Sequence, residues 1–214
     1  MTVAASVDLR SKLCPVRNQG VRPTCLAFAL SELNRFFGHG TDPLSPDYLY
    51  LAAASRISGW RPHMGLRVDA ALAAILRPGQ PLESDHPYTN VEPSVPLSPL
   101  PTFAKMHANS FVARSFVLKR LEAELRSGSP VGMGILLTHS FYRPSSDGIV
   151  RFDAAAIPDS GHAVVAVGLG NDTVSGHQHT LIRNSWGDAW GIGGYAWVPN
   201  TYLNQHALCI FGNF

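Results

Sequence analysis

Residues 18–36 read NQGVRPTCLAFALSELNRF, and this stretch decides how the rest of the chain is interpreted. It begins as a loop, in which Gly20 and Pro23 interrupt regular structure. From Cys25 onward, apolar residues recur on nearly every side of a helical turn, which predicts a helix buried on most of its surface. Thr24 directly precedes that helix and is of a residue type that caps helix N-termini. The stretch therefore places one cysteine at the first turn of a buried helix.

Cys25 has two interpretations in this position. Taken alone, a cysteine beside apolar residues is more often a small buried hydrophobic side chain. A helix N-terminus, however, favours the thiolate, which is the nucleophilic form of cysteine. The backbone N–H of Cys25 belongs to the first turn, whose N–H groups have no acceptor within the helix. The side-chain amide of Gln19 lies six residues earlier in the sequence. Two uncharged donors of this kind suit an oxyanion hole, which makes nucleophilic catalysis the sharper hypothesis.

Two later segments contain candidate partners for a catalytic thiol. His162, in DSGHAVVAVGLG, opens an apolar run typical of a strand, which would hold the ring rigidly. Asn184, in LIRNSWGDAWGIGGY, ends another such run, and Trp186 and a glycine-rich turn follow it. A neutral amide can orient an imidazole, and it suffices here because a thiolate–imidazolium pair is neutral overall. With Cys25, these residues form a candidate Cys–His–Asn set.

The pattern of the remaining chain predicts an α+β fold. Helical patterns dominate the first half, and Ser45 and Pro46 mark the start of the second helix. The proline-rich segment PLESDHPYTNVEPSVPLSPLP is a long connector. One more helix then precedes short runs rich in Val, Ile and aromatic residues, which predict an antiparallel sheet or barrel. These runs are PVGMGILL, GIVRF, HAVVAVGLG, HTLIRNSW and GYAWVP.

Composition limits the class of protein. The chain has 214 residues, of which 45% are hydrophobic and 15% charged, so it is long and apolar enough to bury a core. The net charge of +2 is small, and the basic residues are scattered, so we expect no nucleic-acid partner. No apolar run approaches the ~18 residues that a membrane helix needs, and the first residues lack the pattern of a secretory signal. We therefore expect no membrane partner.

The cysteines indicate a cellular compartment. Cys14, Cys25 and Cys209 are few, odd in number and irregularly spaced, unlike a disulfide framework. A single disulfide bridge between Cys14 and Cys209 remains as an alternative. The simplest interpretation is a reducing compartment, and we expect a cytoplasmic protein. Secretion by a non-classical route, or origin as a domain of a longer chain, stays an alternative.

In this order, Gln-Gly, a cysteine at a helix start, GHAV…VGLG and IRNSWGDAWGIGGY resemble the papain family of cysteine peptidases. The resemblance extends from about Val7 to Val198 and includes LSPDYLYL, HPYTNVEP and SFYRPSSDGIV. It implies one peptidase domain with a helical lobe over about residues 7–100, a β lobe over about residues 101–214 and an active-site cleft between them. The roles that it implies are nucleophile for Cys25, general acid/base for His162, orienting residue for Asn184, oxyanion donor for Gln19, shielding aromatic for Trp186 and substrate-backbone partner for Gly65.

The chain departs from that family around the nucleophile. The family's usual Cys-Gly-Ser-Cys-Trp is replaced by RPTCLAF, so the cysteine before the nucleophile is absent and Leu26 stands in place of tryptophan. A structural disulfide of the family is lost with that cysteine. These departures leave the acid–base chemistry intact and favour an intracellular bacterial relative. No family propeptide precedes the mature-like start, so we expect restraint by a regulatory domain, a protein inhibitor or narrow specificity, unless the sequence comes from a longer chain.

The expected substrate is a peptide or protein, cleaved internally by a monomeric enzyme that needs no metal or cofactor. The resemblance implies that the substrate lies extended between the lobes. We place its main subsite near Gly65, Leu66, Gly134 and Ser160. Because Gly134 and Ser160 are small, this subsite is expected to accept a bulky apolar side chain.

Two further functions remain as alternatives. An amine that attacks the acyl-enzyme in place of water would make the chain a transpeptidase, a ligase or a transglutaminase-like enzyme. Alternatively, the chain would be a non-catalytic binding module on the same scaffold. The presence of the nucleophile, the histidine, the asparagine and the glutamine argues against the binding module.

Two pairs of polar residues are assigned to solvated surface. Arg17 and Arg22 flank the loop before Cys25, where they would favour acidic substrates if they faced the substrate. His177 and His179 form a two-histidine pattern without a further ligand cluster, so a solvated loop is favoured over a metal site.

Overall fold

The computed structural model describes residues 2–214, which separate into two compact units. The helical unit consists of Gln19–Ala113 and Asn213. The β unit consists of the residues up to Asn18, together with Arg114–Gly212 and Phe214. One mainly helical unit and one mainly β unit confirm the predicted α+β class.

Three helices form the helical unit: α1 is Cys25–Phe37, α2 is Pro46–Ala54 and α3 is Val68–Leu76. Every residue of α1 from Leu26 to Arg35 is buried, as the apolar pattern predicts. The N-terminus of α2 is also as predicted, because Ser45 Oγ accepts a hydrogen bond from the backbone N–H of Tyr48 at 3.1 Å, and Pro46 is the first helical residue.

The sheet consists of seven strands, which follow the order β2-β7-β3-β4-β5-β6, with β1 paired to β4. The strands are β1 Val3–Asp8, β2 Val112–Ser115, β3 Val131–Leu137, β4 Ser160–Asp172, β5 Gln178–Arg183, β6 Tyr195–Pro199 and β7 Ala207–Gly212. The helices of the β unit are α4 Leu118–Arg126, α5 His139–Tyr142 and α6 Asn200–His206. The chain passes from the helical unit into the β unit within β2.

The antiparallel pairing of β4 with β5 brings His162 and Asn184 to the same end of the sheet. His162 lies near the beginning of β4 and pairs with Ile135 of β3. Val165 of β4 pairs with Arg183, the last residue of β5, and Asn184 follows directly. Because antiparallel neighbours run in opposite directions, the start of one strand lies beside the end of the other.

Two local predictions are wrong. The run GIVRF forms no strand. Gly148 has a φ of +73°, which turns the chain, and Ile149 makes only an isolated parallel bridge to Trp197. Thr24 occupies the N-cap position of α1 but makes no capping hydrogen bond. Its ψ of 11° differs from the extended conformation that directs a capping side chain toward the first turn.

Within residues 2–214, no helix combines the length and apolarity that a membrane span requires. The described residues also contain no disulfide between Cys14, Cys25 and Cys209. No group of three or more His, Cys, Asp or Glu side chains is placed to hold a metal ion in this part of the chain.

Candidate active site

Cys25 is the first residue of α1 and is partly exposed. The residues that follow it in α1 are buried. Cys25 therefore lies at the accessible N-terminal end of the helix rather than on its buried side. The positive end of the helix dipole stabilises a thiolate at this position, and partial exposure leaves the sulfur accessible. The geometry fits a reactive cysteine better than a core cysteine.

Gln19 is buried, with only 6% of its surface exposed. Its side-chain Nε2 donates a hydrogen bond to the backbone carbonyl of Arg22 at 2.7 Å. This bond closes the loop that leads to Cys25 and fixes the plane of the amide. Gln19 and Cys25 therefore belong to one rigid loop-and-helix junction in the helical unit.

The hydroxyl of Thr24 contacts Tyr88 instead of capping α1. Thr24 Oγ1 lies 2.9 Å from the Tyr88 hydroxyl, and that hydroxyl donates to the backbone carbonyl of Gln19 at 2.7 Å. One tyrosine thus joins the residue before the nucleophile to the predicted oxyanion donor. The sequence alone does not indicate this role, because Tyr88 appears there only as part of the segment HPYTNVEP.

In the β unit, His162 and Asn184 are joined directly. His162 Nε2 lies 2.7 Å from Asn184 Oδ1, and both side chains are buried. Asn184 Oδ1 also accepts the backbone N–H of Ser185 at 2.8 Å, and the backbone N–H of Asn184 donates to the carbonyl of Gly194 at 3.0 Å. Because Asn184 holds Nε2, the ring atom that remains for exchange of a proton is Nδ1.

Burial controls the charge of His162. Removal from water lowers the pKa of His162 from 6.5 to about 4, while the hydrogen bond to Asn184 acts in the opposite direction. With these two influences alone the ring is neutral at pH 7. An imidazolium at this position therefore needs an anion beside it, and a thiolate is such an anion.

Aromatic rings pack against the imidazole of His162 and against one another. The Trp186 ring lies 4.6 Å from the His162 ring, centroid to centroid, and Phe141 approaches the same imidazole edge-on at 6.1 Å. Tyr142 stacks on Trp186 at 5.6 Å with an interplanar angle of 6°. Trp186 thus packs against the imidazole, and its shielding of the bond to Asn184 from water stays a prediction.

The predicted substrate residues lie in both units. Gly65 and Leu66 are in the helical unit, where Gly65 is exposed and a Cβ added to it would meet no atom within 4 Å. Ser160 is exposed at the start of β4. A Cβ on Gly134 would lie 2.9 Å from the sulfur of Cys209, so packing alone explains this glycine. The subsite that would combine these residues stays a prediction.

Two surface assignments are wrong. Arg22 is only 1% exposed, because its guanidinium has partners in sequence-distant segments. His179 is also buried, at 2% exposure, since it is part of β5, and its Nδ1 lies 2.9 Å from the carbonyl of His177. His177 is exposed as expected, and Arg17 is half-buried.

A sequence profile described as "Papain family cysteine protease" matches residues 3–209 of this chain. The chain belongs to the papain family of cysteine proteases. Cathepsin R of Mus musculus is 30% identical to this family member over 97% of the chain and 64% of cathepsin R. Cathepsin K of Gallus gallus is 29% identical over 98% of the chain and 63% of cathepsin K. The chain thus spans less than two thirds of the length of these relatives.

Solved structures of other proteins share the fold. Xylellain, a cysteine protease from Xylella fastidiosa, has a TM-score of 0.77 at 22% identity, over 100% of this chain and 87% of that one. Digestive procathepsin L 3 of Tenebrio molitor has a TM-score of 0.70, also at 22% identity, over 100% of this chain and 71% of that one. At this identity the similarity shows the fold alone.

The structure thus brings the predicted residues together in two groups. Gln19 and Cys25 share the junction before α1, while His162, Asn184 and Trp186 share the end of β4 and β5. A contact between Cys25 and His162, which would join the two units, stays a prediction, as does the absence of a metal or cofactor requirement.

Proposed function

We propose that this papain-family chain is a cysteine endopeptidase, which hydrolyses peptide bonds through an acyl-enzyme on Cys25. The observation that carries the proposal is the buried His162, whose Nε2 is held by Asn184 at 2.7 Å, which leaves Nδ1 for the exchange of a proton. The position of Cys25 at the N-terminus of α1, beside a fixed Gln19 amide, supports it.

In the proposed reaction, the Cys25 thiolate attacks the scissile carbonyl and a C–S bond forms. The negative charge that develops on the carbonyl oxygen is stabilised by the Cys25 backbone N–H and by Gln19 Nε2. The imidazolium of His162 gives its proton to the nitrogen of the leaving amine as the C–N bond breaks. His162 then takes a proton from water, whose oxygen attacks the thioester carbonyl. The C–S bond breaks, the carboxylic acid leaves, and the Cys25 thiolate and the His162 imidazolium are restored.

The substrate is a peptide or protein segment, in keeping with the family. We also propose that the enzyme is monomeric and cytoplasmic, and that a regulatory domain or protein inhibitor restrains it. Support for the compartment comes from the small, odd number of cysteines and their irregular spacing. For the subsite near Gly65, Leu66, Gly134 and Ser160, a preference for Gly or Asp at the second position before the cut would refute the proposed apolar pocket.

The proposal is tested with a library of unbiased peptides and mass spectrometry of the products. The wild-type chain is expected to cleave internal bonds, and Cys25→Ala and His162→Ala are each expected to lose cleavage. Cys14→Ala is the control, because it removes a thiol other than Cys25, one that is buried, and should retain activity. Cleavage that survives Cys25→Ala would overturn the proposal, and products carrying an added amine would identify an acyl transferase instead.

A further inference from the structure

We propose that Arg22 is a positioning residue that holds Gln19 in the geometry required of an oxyanion donor. The inference rests on the proposed peptidase function and deepens it. Its starting point is the burial of an arginine, 1% exposed, three residues before the nucleophile. Arginine is seldom fully buried without partners, so its contacts indicate what the charge does there.

The guanidinium of Arg22 is anchored to two distant segments of the helical unit. Its Nη1 donates to Asp47 Oδ1 in the first turn of α2 and to the backbone carbonyl of Thr89 at 2.6 Å. Asp47 is buried as well, and its other oxygen lies 3.2 Å from His86 Nε2. The loop before Cys25 is therefore attached through a buried ion pair rather than through surface contacts.

Two aromatic rings lie close to the guanidinium. The central carbon of the Arg22 guanidinium lies 5.0 Å from the centroid of the Tyr50 ring and 5.2 Å from that of Tyr88. Both distances are within the range of a cation–π contact, which is stronger when the cation is desolvated. Arg22, Asp47, Tyr50 and Tyr88 form what we call the Arg22 cluster.

The Arg22 cluster contacts Gln19 at its side chain and at its backbone. Arg22 accepts the hydrogen bond from Gln19 Nε2 through its own carbonyl, and Tyr88 donates to the carbonyl of Gln19, both at 2.7 Å. The same carbonyl of Arg22 accepts the backbone N–H of Thr24 at 2.8 Å. An amide has two N–H groups, so fixing one to Arg22 determines the direction of the other. Arg22 therefore controls where an oxyanion would meet Gln19.

A purely structural role for Arg22 makes a different prediction. Loss of a buried ion pair destabilises any domain, whether or not the pair acts on the site. Arg35 offers the matched control, because it forms a buried ion pair with Glu32 and lies in the last turn of α1, at the opposite end of the helix from Cys25. A positioning role requires that Arg22 acts on catalysis through Gln19. The loss of kcat in the double variant should therefore be smaller than the product of the losses in the two single variants.

The test compares Arg22→Met, Gln19→Ala, the double variant and Arg35→Met in the full chain. Arg22→Met is expected to lower kcat for a peptide amide by about 10- to 100-fold with little change in KM, as expected for a displaced catalytic donor. It should leave the pH profile of Cys25 alkylation by iodoacetamide unchanged, since that reaction forms no oxyanion. In the Gln19→Ala background, Arg22→Met should change kcat by less than about 3-fold, because the residue through which it acts is absent.

The inference would be overturned if the loss of kcat in the double variant equalled the product of the losses in Arg22→Met and Gln19→Ala. It would also be overturned if Arg35→Met lost as much kcat as Arg22→Met. Tyr88→Phe is the second variant if Arg22→Met does not fold, because it keeps the ring and removes only the hydroxyl that holds Gln19; it should show the same non-additivity. Hydrogen exchange of the Gln19 side-chain amide, followed by NMR, separates this inference from the proposed function. Faster exchange in Arg22→Met but not in Arg35→Met supports positioning even in a chain that cleaves no peptide, and unchanged exchange refutes it.

Discussion

At the scale of single residues, the chemistry of the site depends on which atom of each side chain is engaged in a hydrogen bond within the protein. His162 is held at Nε2 by Asn184, and Gln19 is held at Nε2 by Arg22. Sequence analysis predicted the residue types, because Cys, His, Asn and Gln occur in ordered motifs. It assigned Arg22 to the surface, because burial of that arginine depends on Asp47 and Thr89, which lie 25 and 67 residues away in the chain.

Replacement of Asn184 tests the orientation of His162. We expect Asn184→Ala to lower kcat/KM by about 10- to 100-fold, because the ring loses the acceptor that fixes its plane. Steady-state kinetics on a peptide substrate measures this loss. Asn171→Ala changes an exposed asparagine on the same sheet and should have no effect. Equal kinetics in Asn184→Ala and the wild-type chain would show that the hydrogen bond does not orient the ring.

Gly65 offers a way to separate binding from stability. A Cβ at this position would meet no atom within 4 Å, so Gly65→Ala should leave the melting temperature unchanged or slightly raised. If substrate backbone passes over Gly65, the added methyl group should raise KM several-fold. Thermal melting and peptide kinetics on the same sample measure both effects. An unchanged KM would remove Gly65 from the substrate site.

At the scale of elements, helices were easier to predict than strands. The helix α1 has an apolar pattern on nearly all sides, and α2 carries a serine cap followed by proline. The strand β1 was missed, because four of its six residues are exposed and show no alternation of apolar and polar side chains. The missed β7 and α6 follow one another within the last fifteen residues, where no turn motif separates helix from strand.

The glycine-rich turn before β6 is the element that supports the backbone of Asn184. Gly191 has a φ of +60°, and an added Cβ would lie 2.2 Å from the carbonyl oxygen of Tyr195. Gly193 has a similar φ of +62°, but a Cβ there would meet nothing within 4 Å. We expect Gly193→Ala to cost about 1 kcal/mol of unfolding free energy, from the left-handed backbone alone.

Gly191→Ala should cost clearly more than Gly193→Ala, because the turn itself must move. Urea unfolding of both variants measures the difference, and Gly191→Ala should also lose activity if the turn shifts Asn184. The account of this turn would be contradicted if the two alanine variants unfolded at the same urea concentration.

At the scale of the whole molecule, the buried His162 links stability to pH. Without a thiolate beside it, burial holds its pKa at about 4 in the folded chain, below the ordinary value of 6.5, so the unfolded chain binds a proton between these pH values that the folded chain does not. Stability contributed by the neutral ring is therefore present above pH 6.5 and is lost as pH falls toward 4. Burial also lowers the pKa of His107 and His206, which act in the same direction.

This dependence is best measured in Cys25→Ala, in which no thiolate can stabilise the imidazolium. The free energy of unfolding should fall by roughly 3 kcal/mol between pH 7 and pH 4 on account of His162, since each pKa unit corresponds to about 1.4 kcal/mol. Replacement of His162 by Gln in the same background should remove that part of the slope. Identical slopes in the two chains would show that His162 does not titrate below its ordinary range.

The division of the chain into two units explains why the contact between Cys25 and His162 could not be derived from the sequence. Ordered motifs indicate that Cys25 and His162 belong to one reaction, but the residues that hold each of them lie within its own unit. The family assignment and the fold therefore follow from the pattern, while the meeting of sulfur and imidazole has to be measured.

That measurement is the NMR titration of His162 in chains labelled with ¹⁵N-histidine, in the wild type and in Cys25→Ala. We predict that the ring of Cys25→Ala becomes protonated only near pH 4, and that the wild-type ring stays protonated to a pH well above this, because a Cys25 thiolate beside the ring would stabilise the imidazolium. The same low pKa in both chains would contradict the account, since it would show that no thiolate–imidazolium pair forms.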